Sequence, residues 1–263
     1  MVQIMATGLF KYFPPDEDKL ERFTNGQVYL TPPKYLNDPW DFRLRSEPPT
    51  EEQVKKEIGS VLSPEGLRGF HKEASSPSFL EGEAHEQQNG LSERIGLVCL
   101  TEKPLDRLMW AHYGESHKGF VAEFRCAEYR CNKEEDRMVA TCLTPFGGAM
   151  KVWYDQRQPV RKRDGSNIRD VCWTKHELWT YEQEWRVVED LKKADSHPKH
   201  EGFFLLWFKP TDLLRVIIGL KADPKVKFQL RQMLNHKEFE HVRNEEAYIN
   251  PESRNLDVRP LSW

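Results

Sequence analysis

The sequence predicts an α+β fold with a central, mostly antiparallel, split sheet and peripheral helices. Two observations carry that expectation. Short apolar runs of strand length recur along all 263 residues, and only a few short helical patterns lie between them. No regular strand–helix–strand alternation is present, which argues against a doubly wound parallel sheet. A single domain spanning residues 1–263 is expected, interrupted by a peripheral helical insertion at about 46–93.

The elements follow in order. Residues 8–13 read as a first strand, stopped by Pro14-Pro15. Residues 17–24 carry a short helical pattern with Leu20 and Phe23 three apart. Asn25-Gly26 is a tight-turn signal, and residues 27–31 form a second strand ended by Pro32-Pro33. Tyr35 to Phe42 read as an ordered loop around Asn37-Asp38-Pro39-Trp40-Asp41. An Asn-Asp-Pro step favours a turn by side-chain capping and a restricted residue before proline. That turn either anchors Trp40 in the core or carries Asp38 or Asp41 into a site. Residues 46–93 are polar, with helices expected at 51–61 and 64–72 and a flexible run at 74–89.

The core resumes with a strand at 95–101 and a helix at 105–113, in which Leu105, Leu108, Met109 and His112 share one face. Strands are expected at 119–124 and at 151–154 with Trp153 inside. Residues 157–178 read as a basic loop becoming a helix near Lys175 and His176. Arg157, Arg161, Lys162, Arg163 and Arg169 form a solvated basic run or a phosphate contact. Strands at 182–188, 203–208 and 213–219, a helix at 225–235, and strands at 240–249 and 256–260 complete the chain.

Composition narrows the function classes. A net charge of −3 argues against a nucleic-acid coat protein, while leaving room for a local basic channel. Five cysteines without a Cys-x-x-Cys pair indicate neither a zinc ribbon nor a disulfide framework. The first residues are too weakly apolar for a signal peptide, and no run reaches a membrane-spanning length. A cytoplasmic protein without membrane contact is expected; the sequence leaves its oligomeric state open.

The densest chemistry lies in Trp179-Thr180-Tyr181-Glu182-Gln183-Glu184-Trp185-Arg186. As a strand, its period of two puts Glu182, Glu184 and Arg186 on one face, with Tyr181, Trp185 and Val187 directed into a core. Facing carboxylates beside an arginine can hold a ribose, a cation or a reacting proton. The alternative is an edge strand with a solvated charged face. Trp110 and Tyr113, one helical turn apart, could wall a planar ligand. His112 and His117 lack metal-ligand spacing, so no metal is expected there. Tyr12, Asp38, Trp110, Tyr113, Lys175, Glu182, Glu184 and Arg186 are the residues left once apolar faces are assigned, and they are expected to converge.

Phe10-Lys11-Tyr12, Tyr35 to Asp41, Leu108 to Tyr113 with His117 to Phe120, and Lys175 to Arg186 together resemble a bacterial family labelled a domain of unknown function, number twenty-nine seventy-one. Its members look like accessory or phage-defence proteins. A more distant resemblance is to ADP-ribosyltransferases. It implies an ADP-ribosyltransferase-like fold and NAD as the ligand. Lys11 or Tyr12 would hold NAD from the first strand, Thr101 would supply the later strand's hydroxyl, and Glu182 and Glu184 would form the Glu-x-Glu. The first strand carries no Arg or His at that family's usual place. By this resemblance Glu184 stabilises the oxocarbenium-like cation and Glu182 orients a nucleic-acid or protein acceptor. Tyr113 or Trp110 stacks on nicotinamide, and Arg186 tunes the pair or clamps a phosphate. Two other readings stand beside it. One is a non-catalytic module binding a nucleotide, a nucleic acid or a phage protein. The other is a nuclease or hydrolase with Asp38, Asp41, Glu182 and Glu184 around magnesium or manganese.

Overall fold

The computed structural model describes residues 8–126, 128–132, 137–141, 144–161 and 170–261. They pack as two compact units. The first comprises the described residues within 8–31, 96–152 and 178–261; the second comprises those within 32–95 and 153–177.

The first unit is built on a large, mostly antiparallel sheet. Its strands are β1 (Gly8–Phe13), β3 (Ile95–Thr101), β4 (Phe120–Arg125), β5 (Glu128–Asn132), β6 (Arg137–Thr141), β7 (Met150–Lys151), β10 (Glu184–Asp190), β13 (Leu213–Ile218), β14 (Arg243–Ile249) and β15 (Leu256–Pro260). They run in the order β15-β14-β13-β4-β1-β3-β10-β7-β6-β5. β13 and β14 are parallel, joined through helix α6 (Pro224–Leu234); the pairs β1–β4, β4–β13 and β7–β10 are antiparallel. β1 meets β3 at Phe10 and Thr101. Beside that meeting point the Lys11 ammonium donates to the Cys99 carbonyl at 3.4 Å and lies 5.8 Å from the Phe13 ring. A second sheet joins β2 (Gln27–Leu30), β12 (Phe204–Trp207) and β11 (Asp195–Ser196), with β12 central.

Strand alternation sorts the side chains of the large sheet. Leu9 and Phe13, Val98 and Leu100, Phe120, Ala122 and Phe124, Trp185 and Val187, Val216 and Ile218 enter the main core. Helix α1 (Glu17–Thr24) adds Leu20 and Phe23, and α6 adds Val226, Leu230, Met233 and Leu234. α1 starts where Asp16 accepts the Lys19 N–H, a cap that satisfies an otherwise orphaned donor. Aromatic rings fill much of the volume: Phe13 stacks on Phe120 at 4.7 Å, Phe23 lies 4.8 Å from Phe120, and Phe124 lies 4.2 Å from Phe146. Burying each such ring stabilises by roughly 1.5–3 kcal/mol. Gly26, at φ 76°, makes the turn into β2. Gly119 lets two backbones touch, since an added Cβ would sit 1.9 Å from the Phe13 carbonyl oxygen.

The opposite face of the sheet carries Phe10, Tyr12, Val121, Ile217 and Ala247. Helix α5 (Arg107–His112) covers it with Met109 and Trp110. The helix is shorter than the sequence pattern suggests. Leu108 is exposed, so the buried side is Met109 and Trp110 rather than Leu105, Leu108, Met109 and His112. Asp106 decides the start, because its side chain caps both Leu108 and Met109 N–H groups.

The second unit contains helices α2 (Glu51–Ile58), α3 (Pro64–Ala74) and α4 (Pro77–Ser92), with β8 (Trp153–Asp155) parallel to β9 (Thr174–His176). The expected flexible run at 74–89 is largely α4. Ser76 caps it and Pro77 opens it, a start signal stronger than the small polar residues behind it. Lys175 lies on β9, not on a helix, and is paired with Tyr154. Trp153 is 57% exposed; Val152 is the buried neighbour. Trp40 is likewise exposed at 56%, while Phe42 and Leu44 are buried in its place. Of the basic run, Lys162, Arg163 and Arg169 lie outside the described residues. No helix among the described residues is long and apolar enough to cross a membrane.

Candidate functional site

Glu184 opens β10, and Arg186 follows two residues on, so both leave the sheet on the face opposite Trp185 and Val187. Arg186 Nε donates to Glu184 Oε1 at 2.8 Å and Nη2 donates to Oε2 at 3.1 Å. The pair is deeply buried, with Glu184 3% and Arg186 0% exposed. This overturns the edge-strand alternative: β10 lies between β3 and β7, and its charged face is covered. A two-pronged guanidinium–carboxylate pair is the geometry that makes burial of two charges tolerable.

Glu182 does not belong to that strand. It ends a 3₁₀ turn, Glu177–Glu182, and Gln183 stands at φ 44° between the turn and β10. A left-handed residue breaks the period of two, so the expected trio is a strand pair plus a residue delivered by a turn. Tyr181 accordingly packs against the cluster that holds Tyr12, Met109 and Trp110, not with the core of Trp185 and Val187. Two hydrogen bonds tie the turn to the end of β3: Thr101 Oγ1 donates to the Glu182 carbonyl, and Glu102 N–H donates to the Gln183 carbonyl at 3.4 Å. Thr101 Oγ1 in turn accepts the Lys103 N–H at 2.9 Å.

Tyr113 Oη donates to Glu182 Oε1. Burial, and then the negative charge of Glu182, push the Tyr113 phenol far above its ordinary pKa, so it stays a donor. Burial, and then Asp106, do the same to Tyr12, whose hydroxyl donates to the Lys103 carbonyl at 2.6 Å. Trp110 is wholly buried. Its indole N–H donates to the Pro104 carbonyl at 3.0 Å, Tyr12 meets it edge-on at 5.2 Å, and His117 stacks on it at 5.6 Å. The expectation that Trp110 stacks on a planar ligand is therefore corrected: both its rim and a face are used inside the protein. Tyr113 is half-buried, with His112 6.3 Å away and Tyr181 6.3 Å beyond His112. Burial lowers the Lys11 pKa, against the opposing influence of Cys99 and Glu184.

The first unit thus holds Lys11, Tyr12, Thr101, Trp110, Tyr113, Glu182, Glu184 and Arg186, of which Tyr12–Trp110, Tyr113–Glu182, Thr101–Glu182 and Glu184–Arg186 are in direct contact. Asp38 and Lys175 lie in the second unit. Asp38 Oδ1 accepts the Trp40 N–H at 2.9 Å, as an Asn-Asp-Pro turn requires. Asp41 Oδ1 accepts the Phe42 N–H at 3.1 Å, and Asp41 Oδ2 faces the Lys175 ammonium at 4.0 Å, both residues being buried.

Three groups escaped the sequence reading. Glu102 accepts from Lys151 Nζ and from the Trp185 indole, each at 2.8 Å. Buried Glu123 accepts from Arg215 at 2.8 Å and Arg243 at 3.2 Å, and Arg215 also bonds Glu245 at 3.1 Å. An acid inside the apolar run Phe120–Phe124 was the available signal. Asp18, His197 and His200 bring their ligand atoms within 4.8 Å of one another. His197 Nδ1 accepts the Lys199 and His200 N–H groups at 3.1 and 3.0 Å, so its proton resides on Nε2, 3.2 Å from Asp18 Oδ2. The lone pair a metal would need at Nε2 is occupied. Burial opposes ionisation of Asp18, but Tyr29, His197 and Arg22 together hold its carboxyl below the ordinary range.

Residues 109–187 match the model of a family described as protein of unknown function (DUF2971), which supports the family resemblance read from the sequence. That segment contains Trp110, Tyr113, Lys175, Glu182, Glu184 and Arg186. No curated protein and no solved structure matches the chain.

Proposed function

We propose that the protein consumes NAD, as an ADP-ribosyltransferase or NAD glycohydrolase-like enzyme, through the face that carries Tyr113, Glu182, Glu184 and Arg186. One observation supports this reading above the others. Two buried carboxylates two residues apart are held by different groups: Arg186 bonds both oxygens of Glu184 with a guanidinium fork, and the Tyr113 phenol donates to Glu182. Cleaving the nicotinamide–ribose bond sends the bonding electron pair out with nicotinamide and leaves a cationic sugar. A fixed negative charge beside that sugar stabilises the transition state more than the ground state. With both Glu184 oxygens engaged by Arg186, we assign that task to Glu182, whereas the sequence resemblance implies Glu184. Tyr113 positions Glu182, and Arg186 holds Glu184. Water, or a hydroxyl or amine of a nucleic-acid or protein acceptor, then bonds to the sugar carbon and releases its proton. Action against phage or as a toxin belongs to the same proposal.

The test is nicotinamide release from NAD by the whole chain, with and without protein or nucleic-acid acceptors. Glu182→Gln keeps the shape and loses the charge. It is expected to slow release by two to four decades, about 3–5 kcal/mol, with NAD binding changed only a few-fold. Absence of release under every condition would remove the enzymatic reading. A binding module without turnover would then stand, favoured by the saturation of both Glu184 oxygens and the full burial of Trp110. The metal-hydrolase reading gains least, since Glu184, Asp38 and Asp41 already have hydrogen-bond or ion-pair partners.

A further inference from the structure

Within the first unit, the strand ends of β4 and β12 enclose a groove of about 520 Å³, lined in part by Arg125, Thr144, Trp207, Phe208, Lys209 and Thr211. Trp207 closes β12 and is 52% exposed, although an indole usually hides most of its surface. It is not loosely placed. Its Nε1–H donates to Asp195 Oδ2 across the small sheet, and its backbone pairs with Gln27. Phe208 behind it is buried in the main core.

Two cations share this groove. Arg125 ends β4, is exposed, and is pinned by Nε donating to the Thr211 carbonyl at 3.2 Å. Its own carbonyl accepts from Thr144 Oγ1 at 3.1 Å. Lys209 is exposed two residues after Trp207. The acid lining the groove, Asp212, is buried and its Oδ2 accepts the Lys209 N–H at 2.8 Å, closing a short turn. The Asp195 carboxylate is taken up by the indole.

A rigid, half-exposed indole flanked by two exposed cations is a base-stacking platform beside phosphate-binding groups. We propose that this groove binds a nucleotide unit, with the base against Trp207 and the phosphate between Arg125 and Lys209. The site is separate from the carboxylate face and does not depend on the NAD reading. The same chemistry is offered by a free mononucleotide and by a single strand of nucleic acid. The net charge of −3 over the chain makes such a local basic groove more selective than a general basic surface would be.

The experiment uses the whole chain, titrated at fixed salt with AMP, UMP, and twelve-residue oligo(dT) and oligo(rU), followed by fluorescence anisotropy of labelled oligomers and by calorimetry for the mononucleotides. Trp207→Ala is expected to weaken binding about 5- to 150-fold, the range for one lost stacked base, and Trp207→Phe to recover part of it. Lys209→Gln is expected to reduce the slope of log affinity against log salt by about one. Unchanged melting temperatures establish that each variant is folded. Oligomer binding with weak mononucleotide binding identifies a strand as the source; comparable affinities identify a free nucleotide. No saturable binding of any of the four ligands, or binding indifferent to Trp207→Ala, overturns the proposal.

Discussion

Replacing Arg186 with methionine removes the fork that holds both oxygens of Glu184, at a position where neither residue has water to fall back on. A buried carboxylate stripped of its partner costs about 3–5 kcal/mol. Protonation sets a ceiling on that cost. Driving a carboxyl of ordinary pKa near 4.3 to its neutral form at pH 7 requires roughly 1.36 × 2.7, or about 3.7 kcal/mol. The same step requires only about 1 kcal/mol at pH 5. In the variant the folded-state pKa of Glu184 is raised above its unfolded value, so its penalty is absent at low pH and grows as pH rises from about 4. Urea unfolding at pH 7 and pH 5 is therefore expected to show a penalty near 3–4 kcal/mol at the higher pH and a clearly smaller one at the lower. The double variant Glu184→Leu/Arg186→Met removes both charges and is expected to recover most of the loss, as apolar replacements of buried pairs do. A penalty below about 1 kcal/mol at pH 7, or one that does not move with pH, would refute the picture of a dry, mutually dependent pair.

Glycines supply a contrasting pair. Gly119→Ala drives a methyl into the Phe13 carbonyl and is expected to cost at least about 1–3 kcal/mol. Gly82→Ala, in the interior of α4 with nothing within 4 Å, is expected to stabilise by roughly 0.4–1 kcal/mol. Thermal melting decides both, and a neutral Gly119→Ala would mean that the β1–β4 backbones do not touch. The phenols of Tyr12 and Tyr113 are held above their ordinary value of 10.0. Stability from these groups is complete below pH 10 and is lost as pH rises beyond it. An absorbance titration at alkaline pH is expected to show both rings ionising only with unfolding, and Tyr113→Phe is expected to lower the amplitude of that late step. Early, reversible ionisation of every tyrosine would contradict their burial.

Much of the sheet was legible because its strands obey one rule over their whole length. Leu9 and Phe13, Val98 and Leu100, and Val216 and Ile218 alternate with residues of the other face, and apolar alternation reads the same in sequence and in space. Where the reading failed, a local signal outweighed the periodic one. Ser76-Pro77 launched a helix through residues that looked like linker, and Asp106 began α5 two residues past Leu105. The sequence directs Trp153 inside and allows a core position for Trp40, yet both are exposed, and Val152 and Phe42 are the buried neighbours. The pairing of residues 153–155 with 174–176 joins segments about twenty residues apart, and no short-range pattern encodes such a partner.

The candidate site shows the same division more sharply. Glu184 and Arg186 were readable as a pair because they sit on an uninterrupted strand, and the structure joins them through two hydrogen bonds. Glu182 was read as their equal, but Gln183 at φ 44° hands it to a different element. The consequence is chemical. A residue on the strand shares the strand's guanidinium; a residue delivered by a turn meets the phenol of Tyr113. One tripeptide, Glu182-Gln183-Glu184, thereby presents two carboxylates to different hydrogen-bond donors, a phenol and a guanidinium. What the sequence could not supply was the long-range partner, since Tyr113 lies 69 residues from Glu182 and Thr101 lies 81. The chemistry of Glu182 depends on both: Thr101 holds its backbone and Tyr113 holds its carboxylate. Removing either hydroxyl would release Glu182 from one of these two hydrogen bonds, so its placement is a property of the fold rather than of the Glu-x-Glu motif.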